Sequence, residues 1–157
     1  MHSTSEAADE VALVAAEADQ AIWNPVAAAG WSLVFTPAFG AYLLMRNWQT
    51  LGEPRQAALA RVWFCFSLGL LGVQLLSAAI NRRLNSESNL MDWLGLLYLA
   101  AWCVAAVLPQ ARLVRSRYGA AGYPRKAWDL VLLYGVLAGV GHFLVRAGLS
   151  YLLLAAT

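Results

Sequence analysis

Four long apolar stretches alternate with short polar connections along the chain, and each stretch is long enough to be read as a helix crossing a bilayer. From Val26 to Met45 there is no charged residue, a run of about 20 positions, which matches the length an α-helix needs to span hydrocarbon. Asn24 can cap this helix and Pro25 suits its first position, where a missing N–H costs nothing, while Gly52-Glu53-Pro54 supplies a stop. Pro37 falls in the middle of the run. It removes one backbone hydrogen bond, so the pattern predicts a kink, with Thr36 or Ser32 re-satisfying the freed group.

The other three stretches read similarly. A second helix is predicted over 55–81, with small and polar residues in its interior (Ser67, Gly69, Gly72, Gln74, Ser77) that allow close helix approach. A third, over 90–115, opens on Asn89 with Asp92 in its first turn, and a fourth, over 124–154, opens on Pro124 after the glycines Gly119 and Gly122. Four spans joined by short connections predict an all-α integral membrane protein, an antiparallel four-helix transmembrane bundle over residues 23–157. Residues 1–22 hold five acidic side chains and no Lys or Arg. They lack the basic start of a secretory leader and are read as an acidic tail or short helix.

Composition agrees with the pattern: 61% of residues are hydrophobic and 13% charged, too apolar for an ordinary soluble domain. The distribution of charge says more than its sum. With four spans, Arg46, Arg55, Arg61, Arg112, Arg115, Arg117, Arg125 and Lys126 share one face, against Arg82 and Arg83 on the other. The positive-inside rule then puts both termini outside, in the periplasm of a Gram-negative cell. Trp48, Trp63, Tyr118, Tyr123 and Trp128 would mark the basic boundary, and Trp23, Trp93 and Tyr151 the opposite one. Cys65 and Cys103 lie in apolar runs, with no disulfide or metal spacing.

Ionisable and amide side chains inside spans are the candidates for chemistry. Gln74 and His142 reach similar depths on helices running the same way and could meet inside the bundle, while Arg146 could pair with Asp92 at the outer end of the third helix. No second titrating group lies near His142 to make a proton relay. Gly135 and Gly139 form a Gly-x-x-x-Gly for helix association, with Pro37 and Trp31 as further contact candidates. Arg112, Arg115, Arg117, Arg125 and Lys126 are placed to meet anionic lipid. Phosphate loops, nucleophile elbows, zinc motifs and paired intramembrane carboxylates do not occur, so no enzyme activity, cofactor, metal or nucleic-acid partner is expected.

The segment Trp23-Asn24-Pro25, Trp31-Ser32-Leu33-Val34-Phe35-Thr36-Pro37-Ala38-Phe39-Gly40-Ala41-Tyr42 and Arg46-Asn47-Trp48 resembles a motif in small uncharacterised bacterial inner-membrane proteins. The resemblance implies a bacterial inner membrane and attaches no activity. Together these readings give the expectation of a non-enzymatic multi-pass protein that associates with another membrane protein or with its own copies. An immunity protein against a membrane-acting toxin is one concrete form. The alternative is a small oligomeric channel or transporter lined by Gln74, His142 and Arg146.

Overall fold

The structure, a computed structural model, describes residues 20–84, 88–119 and 122–155. The acidic segment before Gln20 therefore lies almost wholly outside the described residues. The fold is all-α, and three helices are long and apolar enough to cross a membrane. Helix α1 is Pro25–Val34 and α2 is Pro37–Thr50. The three long helices are α3, Pro54–Arg83; α4, Leu90–Tyr118; and α5, Asp129–Ala155.

The first predicted span is not one helix but two. Proline disfavours α geometry in the residue before it, and Thr36 is fully extended at φ −175°, ψ 159°. Its hydroxyl accepts from the N–H of Phe39 at 3.3 Å, so Thr36 caps a new helix instead of repairing an old one. Pro37 consequently ends α1 and starts α2, and the chain reverses where a kink was expected. Asn24-Pro25 opens α1 in the same way, the Asn24 side chain accepting from Val26 and Ala27.

The two helices pack back to back as a hairpin. Gly40 makes the contact possible, since a Cβ there would overlap the Ser32 hydroxyl and stand 2.7 Å from the Trp102 ring. At the open end of the hairpin, Asn47 takes the place of a β-strand partner for Trp23. Its Oδ1 accepts from the Trp23 N–H at 3.0 Å, and its Nδ2 donates to the Trp23 carbonyl at 2.8 Å. The same Nδ2 donates to Gln110 Oε1 at 3.0 Å, and Gln110 Nε2 donates to the Leu44 carbonyl at 3.0 Å. Asn47 and Gln110 are buried, and this closed network fixes the base of the hairpin to α4.

Within α4 the helix widens to a π turn over Cys103–Val107, the Leu108 N–H reaching back to the Cys103 carbonyl. Pro109, which follows at once, has no N–H to offer its own turn. The hairpin docks here, against the fully buried Trp102, Ala106 and Val107. Among the described residues, Trp102 Nε1 is buried without a hydrogen-bond partner.

Among the described residues the reversal leaves three helices long and apolar enough for a full crossing, where four were expected. Ile22 forms a parallel β-bridge with Arg125: the Ile22 N–H donates to the Pro124 carbonyl at 3.0 Å, and the Lys126 N–H donates to the Ile22 carbonyl at 3.1 Å. The chain thus enters the described region beside the basic connection, whereas α5, after three antiparallel passes, ends far from it. The described chain therefore begins beside the basic connection, because the hairpin returns to the side it left; the termini themselves lie outside the described residues. Trp23 moves with it, its indole donating to the Ala127 carbonyl at 3.1 Å on the basic side. The same backbone pairing keeps Pro124 out of the helix, so α5 begins at Asp129 and not at residue 124.

Candidate functional site

Helix α1 has 10 residues, which gives about 15 Å, half the hydrocarbon thickness. The tip at Phe35–Thr36 accordingly stops midway along the long helices. Phe35 lies on Gly135 of α5, where a Cβ would come 2.9 Å from the ring, and against Phe39 at 5.0 Å and Trp31 at 5.7 Å. Below the tip the bundle has five packed segments; above it only α3, α4 and α5 remain.

That upper half encloses a cavity of about 450 Å³. Its wall takes Gln74, Ser77, Asn81 and Arg82 from α3, Asn89 and Asp92 from the start of α4, and His142 and Arg146 from α5. The four polar residues singled out in the spans, Gln74, Asp92, His142 and Arg146, therefore share one site. Their pairing differs from the expectation. Gln74 Nε2 donates to the Met91 carbonyl at 3.3 Å and lies over Gly95, whose missing Cβ leaves room for it. It is held to α4 and not to His142. Among the described residues, Asp92 and Arg146 form no salt bridge; each is exposed, while Gln74 and His142 are half-buried.

Two further clefts meet this cavity around the tip. One, of about 490 Å³, runs between α2, α3 and α5 and is lined by Phe39, Tyr42, Phe64, Leu68, Leu71, Val131, Tyr134, Ala138 and, at its upper end, His142. The other, of about 410 Å³, lies between the tip, α3 and α4, with Leu33, Phe35, Leu70, Leu96 and Leu99 beside Gln74 and Asp92. His142 thus joins the polar cavity to the first cleft, and Gln74 and Asp92 join it to the second.

The association candidates divide into two groups. Gly135 is covered by Phe35, Trp31 stacks on Phe35 and faces Trp128 at 6.4 Å, and Pro37 opens α2. All three serve contacts within the chain. Gly139 is different, since a Cβ there meets nothing.

At the basic end, Arg117 donates to the Leu51 carbonyl at 2.9 Å, where it caps α2, and to Glu53 at 3.3 Å. Its guanidinium is thus engaged by two protein oxygens while the side chain stays 43% exposed. The Arg125 guanidinium stands 5.5 Å from the Tyr123 ring centre, and the Lys126 ammonium 4.9 Å from that of Trp23. Burial pushes the Tyr123 phenol up, and Arg125 opposes the rise. Arg112 and Arg115 are exposed.

Chemically, the described residues of the upper cavity offer hydrogen-bond donors and two guanidinium groups against one carboxylate. Among the described residues no three His, Cys, Asp or Glu side chains gather as a metal site. Asn47, Gln110, Thr36, Gly40 and Arg82 also shape these sites without having been singled out as candidates. Their signal was present: Thr36-Pro37 repeats Asn24-Pro25, and Asn47 and Gln110 are uncharged polar residues in apolar surroundings, as Gln74 is. Comparison with known protein families, curated proteins and solved structures returns no match.

Proposed function

We propose that the protein is a non-enzymatic membrane protein that binds another component of the membrane in the half of its bundle above the hairpin. The observation that carries this reading is the convergence of a polar cavity and an apolar cleft on His142, directly above a tip that stops at mid-depth. Helices that needed only one another would close such a space by packing.

The positive-inside rule orients the molecule with its basic end toward the cytoplasm. Arg46, Arg55, Arg61, Arg112, Arg115, Arg117, Arg125 and Lys126 stand there, against Arg82, Arg83 and Arg146 toward the other end. The binding half then opens toward the outer leaflet, of an inner membrane if the bacterial resemblance holds. Gln20 lies on the cytoplasmic side and Ala155 on the outer one.

Native mass spectrometry of the protein released from its own membranes tests the reading. A retained component should be present, and Ala138→Trp, which fills the cleft from α5, should remove it. No retained component in the parent protein would contradict it. If that component is a protein, an immunity role is the concrete form, read out as survival of toxin-exposed cells.

A channel or transporter is the second reading, favoured by Thr36, which lines both clefts at the tip. Passage would require the tip to move. Solute flux in liposomes that is lost in His142→Ala would support it.

A further inference from the structure

We infer that the upper site holds one membrane lipid with an anionic headgroup, its phosphate or carboxylate between Arg82 and Arg146 and an acyl chain in the cleft below His142. The inference rests on the binding reading and names the class of ligand.

Charge selects the head. Among the described residues Arg82 and Arg146 line the cavity against one carboxylate, Asp92, and two guanidinium groups are suited to forked hydrogen bonding of an oxyanion. Depth places it. Arg146 is four residues beyond His142, about 6 Å along α5, and Arg82 is eight residues beyond Gln74, about 12 Å along α3. The guanidinium groups therefore lie at the rim, and the amide and imidazole form the floor.

Shape selects the rest of the ligand. Below His142 the cleft follows α5 down to Val131, eleven residues or about 16 Å, running beside α2 below the tip, so that a chain hung from the rim passes mid-depth. Its wall is almost wholly apolar, with Phe39, Tyr42, Phe64, Leu68, Leu71 and Tyr134. An elongated cleft with such a wall suits a hydrocarbon chain.

The test uses the full chain in nanodiscs of phosphatidylcholine containing a phosphatidylglycerol with a photoactivatable acyl chain, the crosslinks mapped by peptide mass spectrometry. Labelling should fall on residues 64–71 and 131–142, and unlabelled phosphatidylglycerol should compete at least about tenfold better than phosphatidylcholine. The double variant Arg82→Gln/Arg146→Gln should lose that preference; both side chains are exposed, so its fold should be kept, and elution as the parent checks this. Ala138→Trp should lose the labelling itself. Equal competition by the two lipids would overturn the anionic head, and displacement by inorganic phosphate alone would make the site one for a free anion. A polypeptide crosslinked in the cleft in place of lipid would overturn this inference and leave the binding reading standing. No specific labelling, with Ala138→Trp indistinguishable from the parent and nothing retained from native membranes, would remove both.

Discussion

The two ends of this molecule are built from the same kinds of residue and packed to different degrees. Of the buried apolar side chains among the described residues, all but Ala79 lie at or below the tip of the hairpin. There Asn47 and Gln110 have their amides satisfied by the Trp23 backbone, the Leu44 carbonyl and each other. Above the tip, Asp92, Arg82 and Arg146 face an open cavity. The difference follows from length: a 10-residue helix and its return fill one leaflet's depth of a three-helix frame and leave the other depth unfilled. Stability is concentrated in the lower half, and binding is left to the upper cavity and to the cleft that runs down from it beside α2.

If so, substitutions should divide by depth. The largest effect is expected at Gly40, because any side chain there meets Ser32, the Trp102 ring and the Ala28 carbonyl at once. Gly40→Leu should undock the hairpin and cost about 3 kcal/mol or more, seen as a lowered thermal midpoint in detergent. Asn47→Ala should cost about 2–3 kcal/mol in the same assay, since it leaves Trp23 and Gln110 with buried unpaired groups.

The glycine pair sharpens the comparison within one helix. Gly135→Leu should cost about 1–2 kcal/mol by pushing on Phe35, whereas Gly139→Leu, which meets open space, should stay within about 0.5 kcal/mol. Equal effects at the two positions would mean that the tip does not end at Gly135. Smallest of all should be Arg146→Gln, within about 0.5 kcal/mol in stability while changing what the cavity holds.

Much of this frame could be read from the residues. The three long helices, their connections and the polarity of charge followed from apolar length and from arginine placement, which depend on composition alone. The gathering of Gln74, Asp92, His142 and Arg146 followed from depth along a helix, because rise per residue converts sequence position directly into height. The hairpin did not follow. A run of about 20 apolar residues is equally one full crossing or two half-crossings, and hydropathy does not register a reversal. Only Thr36-Pro37 carried the turn, and a kink and a reversal share that dipeptide. What separates them is tertiary: Gly40 receiving Ser32 and Asn47 reaching Trp23 across 24 residues.

The return of the hairpin can be measured directly. In a Cys65→Ala/Cys103→Ala background, single cysteines at Gln20 and Gln56, both exposed, bracket α1 and α2. A membrane-impermeant maleimide applied to oriented vesicles should modify both from the same side, the one that carries the basic connections. Modification of the two positions from opposite sides would mean that the segment crosses the bilayer, and the account of a half-depth hairpin beneath a binding cavity would be wrong.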